Sequence, residues 1–401
     1  MREFLNNYYM DDLIQRFFTF WILVLSVFYG NQLAYLAEDI NGMKVWCIST
    51  YLVISGSFLM IEEAYSIFIP WLRKLVLIGC LIRIPGVGFW LAAIYLPGAK
   101  AVGAVFAAII WEYLCPVLMD SPLAERFTPL EYRKALDVNH FQTRMANFFI
   151  IVLGEGVLQL VKDGPLGKGL TANVGIMSWV LVIYFGISFL YFVRDGSKTF
   201  IPAVRHKGWR FILFVGVHIP LFSALLTFVA GVMFILRHEY QANYNQAQDE
   251  EGLTHAEVAS YTTNAVWTCA GSLAIVMLSM MTLALLDQPL DKPGTLRVDN
   301  RWIRLAPRAT YIIVILCIPT IRHLDSQVFL GIASFMFTIL MMWEWSACLE
   351  RGGGFIEPRG LSLMMSHELK GKRHVAVSPG DEHDHNHPHR KFQFAGPLAR
   401  S

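Results

Sequence analysis

The chain has 401 residues, of which 55% are hydrophobic and only 16% charged, with a mean hydropathy of +0.45. Soluble domains carry roughly 25% charged residues, so a soluble globular class is excluded and a polytopic membrane class is implied. The formal net charge of +2 is uninformative as a total, and its distribution along the chain carries the signal.

A helical span needs about 20 apolar residues, and the hydropathy pattern predicts ten, approximately 17–37, 45–69, 75–96, 99–119, 146–163, 174–193, 211–236, 265–287, 309–321 and 328–348. The fold class expected is therefore all-α: a transmembrane helical bundle over 1–350, followed by a largely disordered tail over 351–401. Of the 33 Lys and Arg residues, 26 fall on one alternating set of connections and 6 on the other, with Arg83 inside a span. By the excess of cations on cytosolic loops, both termini are expected in the cytosol, in the plasma membrane or endoplasmic reticulum. The basic connections 194–210 and 288–308 read as topology signals. All six cysteines lie in or at the ends of apolar runs and none has C-x-x-C spacing, so neither disulfides nor a metal site is expected.

Polar residues inside the spans are the informative ones, because an ionisable group in hydrocarbon costs roughly 2.5–3.5 kcal/mol and usually has a task. In chain order, the first span holds Asn31 and Gln32. The second holds Glu62 and Glu63, the third Arg83 before Pro85-Gly86, and the fourth Glu112 before Pro116. Glu155 lies in the fifth, His218 before Pro220 in the seventh, and Glu344 between Trp343 and Trp345 in the tenth. At 1.5 Å per residue, Arg83, Glu112, Glu155 and His218 are all expected about 10–13 Å from the cytosolic ends of their spans. This predicts one layer of ionisable groups in the cytosolic half of the bundle. Within it Arg83 is expected to pair with Glu112 or to snorkel towards the headgroups. His218 reads as a satisfied structural histidine or a proton carrier. The aromatics around Glu344 place that residue at the headgroup belt.

Around Glu155 the sequence runs His140-Phe-Gln-Thr-Arg144, a short apolar stretch, then Val152-Leu-Gly-Glu-Gly156. The pattern H-F-x-x-R with V-L-G-E-G resembles the signature of the low temperature requirement A (LtrA) membrane-protein family, with Thr143 where that family usually has Glu. The resemblance implies a multi-span membrane protein and a link to low-temperature stress, without fixing a biochemical activity.

Three functions compete. A cytosol-facing pocket could act on a hydrophobic small molecule, lipid-like or terpenoid and possibly of secondary metabolism, by Glu acid/base chemistry of an isoprenoid-cyclase-like kind. Desolvated carboxyls without a cation hold their protons, and aromatic faces stabilise a cation. The layer could instead be the proton relay of a small-molecule transporter, or interhelical glue in a non-catalytic membrane component. The first reading is preferred, because polarity confined to one half resembles a pocket more than a channel. Its candidate catalytic groups are Glu155, Glu112 and His218; its candidate substrate-binding groups are Arg83, Glu62, Asn31, His140 and Arg144. No cofactor or nucleic-acid partner is implied. The tail ends in Asp381-Glu-His-Asp-His-Asn-His-Pro-His389, read as a solvated stretch rather than a metal site.

Overall fold

A computed structural model describes residues 13–36, 39–68, 72–119, 138–162, 172–205, 209–245, 255–321, 325–349 and 351. The tail with its His-rich stretch lies outside the described residues. Ten helices are long and apolar enough to cross a membrane: α1 Leu13–Ala34, α2 Ile40–Phe68, α3 Leu72–Tyr95, α4 Gly98–Met119, α5 Val138–Lys162, α6 Ala172–Val193, α7 Trp209–Asn245, α8 His255–Leu286, α9 Arg301–Cys317 and α10 Ser326–Ala347. Each predicted span has its helix. Three begin eight or more residues earlier than their apolar runs, α5 at Val138 rather than 146, α8 at His255 rather than 265 and α9 at Arg301 rather than 309. In each, polar residues occupy the first turns, and hydropathy alone trims them off.

The helices pack unequally. The share of each span that is buried rises from 11% in α1 to 67% in α8. The large apolar core belongs to α5–α10, where Phe149, Ile183, Phe214, Phe228, Met277 and Phe337 interlock. In α1–α4 a smaller cluster joins Phe18 and Ile22 of α1 to Ile54, Phe58 and Ile61 of α2. Many large apolar side chains of these four helices face outward, which lipid tolerates as readily as a protein interior does. Among the described residues, α4 and α7 tie the two parts together. There the Tyr113 hydroxyl donates to the Ile212 carbonyl, and Gly216 leaves room for the Tyr113 ring that any Cβ would strike.

At the basic-loop end of α6, α8, α9 and α10 the connections form an ordered polar knot. Phe200–Ile201 (β1) pairs antiparallel with Gln288–Pro289 (β2). Asp291 accepts the backbone N–H groups of Lys198 and Thr199 at 2.9 and 2.8 Å. Burial pushes its carboxyl up, but these bonds and the Thr199 hydroxyl together outweigh it and hold the carboxyl below the usual carboxylate range. Asp287 takes Arg194 at 3.1 Å and the Ala203 N–H at 2.8 Å. Asp195 faces Arg301 at 3.0 Å and Arg304 at 3.6 Å. Arg308, fully buried, donates to Glu344 at 2.6 Å, to the Met280 carbonyl at 3.1 Å and to the Arg194 carbonyl. Arg194 itself adopts φ 60°, and Gly196 φ 75°, where a side chain would strike Cys348. Two expectations change here. Glu344 is 2% exposed and ion-paired, buried in protein rather than facing outward with its flanking tryptophans, because Arg308 supplies a counter-charge that the tryptophans could not reveal. The connections 194–205 and 287–300 hold the ends of four helices together, beyond any role as topology signals.

Candidate functional site: an acidic cluster among α2, α3 and α4

Pro85 lacks the N–H that would continue the α3 ladder. At that level the Ile82 carbonyl accepts a second donor, the Trp111 indole N–H of α4, at 2.8 Å. Gly86 follows, and a Cβ there would stand 3.1 Å from Trp111 Cδ1 and 3.7 Å from Glu112 Cγ. The missing side chain thus lets α4 bring Glu112 against α3. Its carboxyl then accepts two hydrogen bonds, from the Trp90 indole N–H at 2.8 Å and from the Tyr51 hydroxyl of α2. The Tyr51 and Trp90 rings meet at a centroid distance of 4.6 Å, tilted by 45°. Among the described residues no Lys, Arg or His lies within ion-pair distance of Glu112. It is a half-buried intramembrane carboxyl held by neutral donors between aromatic rings.

Towards the basic-loop face, Arg83 pairs with Glu62 at 2.9 Å. The expected Arg83–Glu112 pair does not form: α3 turns Arg83 towards α2, and Glu112 is occupied by Tyr51 and Trp90. The Arg83 side chain is 40% exposed, so the pair lies at the open edge of the cluster. Glu63, one position on from Glu62, accepts the Cys80 thiol at 3.6 Å.

The other predicted residues lie elsewhere. Glu155 is exposed on α5 and accepts the Gln159 amide at 2.5 Å. Its neighbour Gly156 packs against Tyr184, whose hydroxyl reaches the Leu225 carbonyl at 3.3 Å. Leu225 lies seven residues beyond His218 on α7, so Glu155 stands about 10 Å farther from the basic-loop face than His218. The longer α5 explains this: counted from Val138 rather than 146, Glu155 is past the middle of its helix. The single layer therefore divides. His218 is 1% exposed, with Nδ1 2.6 Å from the Phe214 carbonyl and Nε2 3.1 Å from the Tyr191 hydroxyl. A carbonyl only accepts, so in the neutral ring Nδ1 carries the proton and Nε2 accepts from Tyr191. Arg144 sits half-buried on α5, the His140 side chain lies outside the described residues, and Asn31 is exposed near the end of α1. Among the described residues no group of three or more His, Cys, Asp or Glu side chains is placed to hold a metal ion.

Reading the sequence found Glu112, Glu62 and Arg83, and set Trp90, Trp111 and Trp179 among the in-span aromatics of which a few could line a cavity, but missed Tyr51 and the hydrogen bonds of Trp90 and Trp111. Aromatic residues in a span look alike whether they face lipid or a carboxyl. The one available signal was Pro85-Gly86, a local helix break opposite an acid.

The family model for the bacterial low temperature requirement A protein (LtrA) matches residues 3–343. The chain belongs to the LtrA family. The match covers α1–α9 and reaches into α10, so both parts of this LtrA protein fall within the family model. It is accordingly a multi-pass integral membrane protein. Comparison with curated proteins and with solved structures finds no match.

Proposed function

We propose that this LtrA protein binds a hydrophobic small molecule, lipid-like or terpenoid, at the α2–α3–α4 cluster and exchanges a proton with it through Glu112. One observation carries the reading: a carboxyl within a membrane span, held by Tyr51 and Trp90, with no cation beside it among the described residues. Such a group can give a proton to an alkene or take one from an adjacent carbon, and the ring faces of Tyr51 and Trp90 favour the cation that forms between the two steps. The half-exposed Arg83–Glu62 pair offers a polar handle at the lateral edge, where a headgroup or hydroxyl would lie. By the distribution of Lys and Arg, this edge and both termini face the cytosol. Glu155 and His218 belong to the α5–α7 side, and their part in the function is support of that scaffold.

The test is Glu112→Gln, which keeps both hydrogen-bond partners but cannot exchange a proton. Lipid extracts of cells expressing the parent and the variant at equal membrane abundance are compared by mass spectrometry. A metabolite that depends on the parent and vanishes with the variant supports the reading; an unchanged extract removes it.

A proton-coupled carrier is the second reading, favoured by the loose packing of α1–α4 beside the compact α5–α10. It predicts pH-gradient-dependent uptake into vesicles with no new carbon skeleton.

A further inference from the structure

At the α1–α2 end, on the face opposite the basic connections, lies a recess of about 560 Å³. That is within the range of small-ligand sites, roughly 300–1,000 Å³. The connection between the two spans builds it. Asn31 and Gln32 end α1, and Tyr35 stands one turn beyond Asn31. The Asp39 N–H donates to the Tyr35 carbonyl at 3.2 Å, which folds the connection back on itself. Met43 and Trp46 follow Asp39 at four and seven residues, the spacing that sets side chains on one face of a helix. All six residues line the recess.

The recess offers one carboxylate beside two aromatic rings. Asp39 Oδ1 accepts the Gly42 N–H at 2.9 Å and caps α2, whereas Oδ2 takes no hydrogen bond. Gly42 permits this placement, since a Cβ there would stand 2.2 Å from Oδ2. Among the described residues no Lys, Arg or His lies within ion-pair distance of Asp39. Lys44, on the first turns of α2, donates instead to the Leu96 carbonyl at 2.8 Å. Tyr35 and Trp46 are 51% and 60% exposed, so their rings are open to a ligand. An aromatic belt accounts for a Trp and a Tyr at a membrane surface, and capping accounts for one carboxylate oxygen. Neither accounts for an uncompensated charge set in a recess between those rings. That combination matches an organic ammonium ion, whose charge pairs with the carboxylate while its methyl or methylene groups lie on the ring faces. An anion meets the like charge of Asp39, and an uncharged head gains apolar contact alone.

We infer that the α1–α2 recess binds an organic ammonium cation, either the head of a membrane lipid or a free amine. The site is independent of the small-molecule reading at Glu112, because none of Tyr51, Trp90 and Glu112 lines the recess.

Choline is the probe, compared with its uncharged isostere in which carbon replaces the nitrogen. Both are titrated by ligand-observed NMR against the full chain in a non-ionic detergent. Choline is expected to bind saturably and about fivefold more tightly than the isostere, the upper range for an exposed charge pair. Asp39→Asn caps α2 equally well and should erase that preference, so that the two probes bind alike. Trp46→Leu keeps an apolar side chain without the ring face and should weaken choline by about two- to fivefold. Added lipid separates the two sources. If a lipid head is the ligand, phosphatidylcholine displaces choline and phosphatidylglycerol does not; if a free amine is the ligand, choline binding survives both. Choline that binds no more tightly than its isostere, or a preference that persists in Asp39→Asn, overturns the inference. Because the readout is a ratio of two probes on one protein, a general loss of fold cannot imitate the expected result.

Discussion

Gly86 is a small residue with a demanding position. With Trp111 Cδ1 at 3.1 Å and Glu112 Cγ at 3.7 Å from an added Cβ, alanine forces a shift of a few tenths of an ångström, and valine places a second branch where the indole stands. Gly86→Val is therefore expected to separate α3 from α4, break the Trp111–Ile82 and Trp90–Glu112 bonds and destabilise the protein by about 1–3 kcal/mol, the usual range for overpacking. Gly86→Ala should be mild. Thermal unfolding in detergent ranks the two, and equal midpoints would show that α4 slides freely over α3. The acids and Arg83 stood out in the sequence because a charge in an apolar run is conspicuous. Their partners did not, since choosing Glu62 rather than Glu112 for Arg83 depends on which way each helix is turned. Hydropathy carries no information on rotation.

Helix α9 shows the same limit in an element. Its first turns hold Arg301, Arg304 and Arg308, and a hydropathy window counts each as a penalty whatever it touches. The pattern nevertheless contained the helix: Arg304, Leu305, Arg308, Tyr311 and Ile315 recur at three- and four-residue steps, and all are buried on one face. What could not be read is that Arg308 meets Glu344, 36 residues later. Breaking a buried pair strands a charge, so Arg308→Met alone should cost about 3–5 kcal/mol. Adding Glu344→Met should recover much of that loss, short of full recovery because the Arg194 and Met280 carbonyls lose their donor. A double variant no more stable than the single one would show that those carbonyl bonds dominate. Asp291 adds a pH dependence to the same knot. Its folded carboxyl titrates below the ordinary range, so the stability it contributes is present above the ordinary Asp value and is lost as pH falls through the lowered one. Asp291→Asn should flatten the acid side of the stability profile and leave the neutral-pH difference smallest where backbone bonds to the amide oxygen persist. An unchanged acid limb would assign that sensitivity to other carboxyls.

Across the whole molecule, ten spans could be counted from hydropathy because lipid demands a fixed length of apolar helix. Their unequal packing could not, since a leucine facing lipid and a leucine facing α8 are the same letter. The consequence is a difference in local stability between α1–α4, held to the rest mainly at Tyr113–Ile212, and α5–α10, with their interlocked core and polar knot. Free thiols report on it without any engineered probe. Cys47 of α2 and Cys115 of α4 are each 6% exposed, and Cys269 of α8 is 0% exposed, so all three are sheltered in the folded state and react only when their surroundings open. On gradual heating in detergent with a maleimide present, Cys47 and Cys115 should be modified several degrees before Cys269, because opening α1–α4 leaves the α5–α10 core in place. Tyr113→Phe removes the hydroxyl that bonds to α7 and should widen that interval by lowering the first step alone. Modification of all three at one temperature would instead mean that the ten helices melt as a single unit, with the weak α1–α4 contacts fully coupled to the core through α4 and α7.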